Sequence, residues 1–171
     1  MFNTRLVFLW LLFLLASISH AVNAEGIRYV SILDSIVYVE FDEEGNSVRF
    51  MDSRGPANYC EKKEEYNCVG SKSFSFAIPK EEYAFCGKWE FMGESYECRG
   101  EVELELFGKK YSGFRVRSDR GDLVIAILYS FNKGILHFSL IDKKSGLSRE
   151  YVLADSAGLW AKKYSGTSTN N

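Results

Sequence analysis

Two apolar runs, residues 123–131 and 135–141, follow one another with only Asn132, Lys133 and Gly134 between them. Both are rich in Ile, Val, Leu, Phe and Tyr, side chains that suit a pleated and buried backbone. A half-exposed strand alternates apolar and polar positions, and these runs do not. They therefore predict a hairpin covered on both faces, the centre of a β-rich core. The three-residue connection ends in Gly, which takes positive φ at little cost. Centring the turn on Lys133 pairs Tyr129 with His137 and Ile125 with Ile141.

The N-terminus reads as a targeting segment. Arg5 precedes an unbroken apolar run over residues 6–16, and Val22 and Ala24 occupy the two positions a signal peptidase reads. A membrane anchor needs ~18 or more apolar residues, and Ser17, Ser19 and His20 interrupt this run too early. The expectation is a cleaved signal peptide over 1–24, then a single β domain over 25–164. Residues 165–171 are small and polar, the composition of a disordered tail. Without Arg5 the remaining 147 residues carry 20 basic and 23 acidic side chains, a net charge of −3. That argues against a nucleic-acid binder, which shows a strongly basic face. No long apolar stretch follows the leader, so no stable membrane insertion of the mature chain is expected. The location predicted is periplasmic or extracellular.

All four cysteines, Cys60, Cys68, Cys86 and Cys98, follow the leader, and an even count in an exported chain reads as two disulfides. The gaps of seven, seventeen and eleven residues lack the close pairs of a structural zinc site. Three pairings are open. Cys60–Cys68 with Cys86–Cys98 closes two short local loops, and a bulge at Gly87 would bring Cys86 into step with Cys98.

The remaining patterns are short strands and tight turns. Residues 26–33, 36–41 and 47–51 are β-branched and aromatic, separated by Asp34-Ser35 and by the acidic turn 42–46. Residues 73–78 alternate and stop at Pro79. Residues 86–91 and 95–98 form a hairpin around Met92-Gly93 that pairs Trp89 with Tyr96 and Lys88 with Glu97. Residues 101–107 and 111–117, centred on Lys109, pair Leu104 with Phe114 and set Glu103 against Arg115. Residues 147–153 give a long strand and 157–161 a short closing one. The fold class expected is all-β: a single antiparallel meander of about nine or ten strands, as a curled barrel or a two-layer sandwich.

Chemistry is sparse. After the leader His137 is the one histidine, which excludes multi-histidine metal sites. Placed opposite Tyr129, it reads as a structural hydrogen-bonding partner of that phenol. There is no Gly-x-Ser-x-Gly elbow, phosphate-binding Gly-rich loop or dinucleotide fingerprint. Arg120-Gly121-Asp122 spells the integrin-ligand tripeptide, a match short enough to arise by chance. The reading is of a protein that is not an enzyme and uses no cofactor or metal.

The longest irregular stretch, residues 52–70, holds Cys60 and Cys68. Tyr59, Lys62, Lys63 and Tyr66 beside them form the candidate partner-binding loop, since a long cross-linked loop on a rigid β frame is a common contact surface. The function expected is a non-catalytic binding protein with a protein partner in the envelope or extracellular space, such as an inhibitor or immunity-type protein for an exported enzyme. In size, β character and disulfide content the chain resembles small periplasmic lysozyme inhibitors. The alternatives are a carrier of a small apolar ligand, which needs an interior void, and a structural envelope protein.

Overall fold

The computed structural model describes residues 26–61, 64–72, 74–81, 87–106 and 108–162. The expected signal peptide over 1–24, the expected tail over 165–171, Lys62, Lys63 and Cys86 lie outside the described residues, as does most of the segment between Pro79 and Gly87. Thirteen strands and no helix occur among the described residues. The first seven are β1 (Ile27–Ser31), β2 (Tyr38–Asp42), β3 (Ser47–Phe50), β4 (Ser53–Pro56), β5 (Asn58–Tyr59), β6 (Tyr66–Gly70) and β7 (Ser75–Pro79). The remaining six are β8 (Lys88–Phe91), β9 (Glu94–Leu106), β10 (Lys109–Arg120), β11 (Leu123–Ser130), β12 (Gly134–Asp142) and β13 (Ser148–Leu153).

Ten of them form one antiparallel sheet in the order β4-β3-β2-β1-β13-β12-β11-β10-β9-β8. Every neighbour is a sequence neighbour except β1 and β13, which join the two meanders through pairs such as Tyr29–Leu153. The sheet does not close into a barrel, because β4 and β8 remain edge strands. The chain crosses from one edge to the other through the three-stranded sheet β5-β6-β7. The stretch 52–70, expected to be irregular, therefore contains β4, β5 and β6. Its Gly, Pro and charged residues conceal strands that draw their stability from packing rather than from intrinsic preference.

The small sheet packs against the inner face of the large one. Phe74, just before β7, and Phe76 and Ile78 on it are fully buried. Phe76 meets Phe138 at 5.1 Å between ring centroids, and Phe74 meets Phe41 at 5.8 Å. Tyr29, Phe138 and Tyr151 complete an aromatic core in edge-on and offset contacts, with centroids 4.9 and 5.2 Å apart. Each such pair is worth ~0.5–1.5 kcal/mol beyond its area burial. Trp89 stacks on Tyr96 and donates its indole N–H to the Ala77 carbonyl at 3.1 Å, fastening β8 to β7.

Three expected registers can be compared with the structure. The β8–β9 pairs Lys88–Glu97 and Trp89–Tyr96 are as read from the sequence. In the central hairpin Gly134 does take positive φ, at 75°, and both faces are largely buried. Its pairing differs: a bulge at Leu136 sets Leu128 opposite His137 and Ile125 opposite Leu140. Tyr129 faces Ile135 instead, so the expected His137–Tyr129 partnership does not form. The β9–β10 hairpin pairs Leu106 with Lys109, giving Leu104–Tyr111 and Glu103–Ser112 rather than a Glu/Arg ladder. A second bulge, with Gly100 at φ 89°, then brings Glu97 opposite Arg117. Exposed ion pairs contribute only ~0–1 kcal/mol, too little to dictate register against a Gly turn and a Gly bulge.

Residues 157–161 do not form the expected strand. They lie as a bend against the start of β12, where Ile135 N–H donates to the Leu159 carbonyl at 3.0 Å and Gly158 N–H to the Lys133 carbonyl at 2.8 Å. The Tyr29 hydroxyl locks this bend, donating to the Ile135 carbonyl at 2.9 Å and accepting from Leu159 N–H at 3.0 Å. A Cβ on Gly158 or Gly134 would collide with this backbone, so both positions need Gly.

Candidate functional site

The antiparallel order brings five turns to one end of the large sheet. They are residues 32–37 (β1–β2), 51–52 (β3–β4), 92–93 (β8–β9), 121–122 (β10–β11) and 143–147 (β12–β13). Hydrogen bonds tie these turns to their neighbours: Ile32 N–H donates to the Glu150 carbonyl of β13 at 3.0 Å, and Lys143 N–H to the Asp122 carbonyl of the adjacent turn at 2.7 Å.

Four of these turns present large apolar side chains to solvent. Leu33 is 88% exposed, Ile36 74%, Met51 40%, Met92 84% and Leu147 70%. These are the five large exposed hydrophobics among the described residues, and all sit on this rim. The turns at the other end carry Glu43 and Glu44, Gly108, and Asn132 with Lys133. Scattered exposed apolar residues need no explanation, but their gathering at one end marks an interaction surface.

Local chemistry holds the tips out. Asp34 accepts Ile36 N–H on its side chain and Val37 N–H on its carbonyl, each at 3.0 Å, and so closes the turn that displays Leu33 and Ile36. Asp142 Oδ1 accepts the backbone N–H of Lys144 at 2.8 Å and of Ser145 at 3.0 Å. Those bonds hold its carboxyl below the usual range and set the loop that carries Leu147. Met51 and Met92 open their turns at φ 50° and 52°, a left-handed conformation that Asn or Gly adopts more readily.

A cleft of about 560 Å³ runs from this rim to the disulfide hairpin. Met92, Phe91, Glu94 and Arg120 form one wall, and Tyr59, Cys60 and Cys68 the other. Between them, the Glu94 carboxylate pairs with Arg120 at 3.2 Å, accepts the Tyr96 hydroxyl at 3.1 Å and also accepts from Ser75 Oγ. Burial, as the largest cause, pushes the Tyr96 phenol above its usual range. Arg120 pairs with Glu94 and Asp122 with Lys144 at 2.6 Å, so both charged ends of the Arg-Gly-Asp tripeptide are engaged.

The Cys60–Cys68 bridge is present. The second expected bridge involves Cys86, outside the described residues; Cys98 N–H donates to the Gly87 carbonyl at 2.8 Å. Within the expected partner loop, Tyr59 is half-buried, its hydroxyl donating to the Ser47 carbonyl at 3.2 Å, and burial raises its pKa. Tyr66 packs on Phe91 with centroids 5.3 Å apart. Both tyrosines are thus partly covered within the fold, and the large exposed apolar groups lie on the rim. The sequence signal for that rim was apolar residues at the ends of strand runs, beside Asp34-Ser35, Met92-Gly93 and Ser145-Gly146.

Among the described residues no group of three or more His, Cys, Asp and Glu is placed to hold a metal, and no helix is long and apolar enough to cross a membrane. The chain matches no family model, no curated protein and no solved structure.

Proposed function

We propose that this chain is an exported, non-catalytic binding protein that holds a protein partner on the apolar rim and the adjoining cleft. The observation that carries this reading is the gathering of Leu33, Ile36, Met51, Met92 and Leu147 on turns at one end of the sheet. Rim charges are mixed, with Lys144 paired to Asp122 and Lys143 to Asp119 at 3.0 Å, so neither sign dominates. An apolar centre with a mixed polar surround, enriched in Met, is the composition of a protein interface. The core between the two sheets is filled by side chains such as Phe74, Phe76 and Phe138, which favours a binding surface over carriage of a ligand inside. Inhibition of an exported enzyme is the form of binding that best suits a small disulfide-bonded frame.

The test compares capture of envelope proteins by the parent chain and by L33D/L147D. Both positions are exposed, so the melting temperature stays within about 2 °C, as expected for surface changes of under ~0.5 kcal/mol. Loss of one captured protein supports the reading. The same proteins captured in equal amount by both chains refute it.

A further inference from the structure

A separate concavity lies on the outer face of the large sheet. Residues 101–106 of β9 and 109–113 of β10 pair only with each other, reaching past the end of β11. Val102 and Leu104 from this arm line a cavity of about 360 Å³ together with Leu128, His137 and Glu150. Three arginines, Arg99, Arg115 and Arg117, line the same space.

Two of the arginines are already committed. Arg99 pairs with Glu97 at 3.2 Å and Arg117 with Asp119 at 3.1 Å. Arg115 has no carboxylate partner among the described residues. Beside it, His137 Nε2 is buried without a hydrogen bond, 3.7 Å from the nearest oxygen of Glu150. Across this face Lys88, Arg99, Arg115, Arg117 and Lys143 stand against Glu90, Glu97, Asp119 and Glu150, a surplus of one positive charge. The whole chain carries −2, so the local excess runs against the overall balance.

An uncommitted guanidinium at the edge of an apolar floor suits a carboxylate. Its planar fork donates to both oxygens at once, and the floor accepts the body that carries them. We propose that this cleft binds a carboxylate carried on an apolar body, the head on Arg115 and the body against Val102, Leu104 and Leu128. A free aliphatic acid and the C-terminal residue of an apolar peptide share that chemistry. The site lies apart from the rim and stands whether or not the rim holds a partner.

His137 is a built-in reporter. Burial lowers its pKa, Glu150 opposes that shift and Arg115 adds to it. A bound anion offsets the Arg115 charge and moves the imidazole back up.

The test is an NMR titration of the purified full chain with sodium hexanoate at constant ionic strength. It follows the His137 ring signal, which the H137Q variant distinguishes from that of His20. The expected result is a saturable shift and a raised His137 pKa. R115A should weaken binding by about tenfold or more, and R115K should recover it only in part because it keeps the charge without the fork. Hexanol should leave the signal in place. N-acetyl-Leu-Leu and its C-terminal amide distinguish the sources: a free-acid peptide that binds more tightly than hexanoate assigns a peptide terminus, and the reverse order assigns a free acid. Hexanol acting like hexanoate, or R115A binding hexanoate like the parent, overturns the proposal.

Discussion

Met92 sits at the tip of the β8–β9 hairpin at φ 52°, followed by Gly93 at φ 78°. Two successive positive φ values define a turn that favours Asn-Gly, and a non-Gly side chain there costs ~1 kcal/mol. Met92 is 84% exposed, so its side chain returns little through burial. One-sixth of a fully buried Met is worth only ~0.4 kcal/mol. M92N should therefore stabilise the fold by about 0.5–1 kcal/mol, because Asn tolerates the left-handed region. At ~2–4 °C per kcal/mol for a domain of this size, the melting temperature should rise by about 1–4 °C. The same change removes an apolar tip from the rim and should weaken partner capture. Scanning calorimetry with a parallel capture assay reads both effects. A fall of several degrees would mean that Met92 supports the fold, and the reasoning from exposure and backbone strain would fail. A residue that opposes stability while facing solvent is the pattern expected of a functional contact.

Further outcomes follow from the same geometry. Y29F removes the hydroxyl that serves the Ile135 carbonyl and Leu159 N–H, leaving two buried groups without a partner. The cost should be ~2–4 kcal/mol in a urea melt, and a loss below ~0.5 kcal/mol would show that the bend over 157–161 is not held by Tyr29. Burial keeps His137 below its ordinary pKa in the fold, so the unfolded chain binds the extra proton. Stability is then complete above the unfolded value of ~6.5 and declines as pH falls below it. Asp119 and Asp142, both held low, lose their contributions only under more acidic conditions, below ~3.9. H137Q should flatten the dependence just below pH ~6.5, and an unchanged slope in that variant would remove His137 as its source.

The legible parts of the fold were local. The two apolar runs around Gly134 specified a hairpin buried on both sides, and Met92-Gly93 specified the pairing of Trp89 with Tyr96. Cys60 and Cys68, eight apart, form the short local bridge favoured among the three pairings the sequence left open. What escaped was long-range or hidden in single residues. Nothing in residues 27–31 or 148–153 announces that β1 and β13 pair across the whole chain. Gly100 and the extra Leu136 each shift a register by one residue, and Lys109 pairs with Leu106 rather than sitting at the centre of the β9–β10 turn. The rim escaped for a related reason. Leu33, Ile36 and Leu147 read as the ends of buried strands, and only the strand order places their turns together in solvent.

Photo-crosslinking in the intact envelope tests the central claim most directly. A photoreactive residue is placed singly at Leu33, Met92 and Leu147 on the rim, and at Glu44 and Lys133 at the far end of the sheet. The account predicts adducts to one and the same protein from all three rim positions and none from the far end. Equal adducts from both ends, or none from the rim, would contradict it.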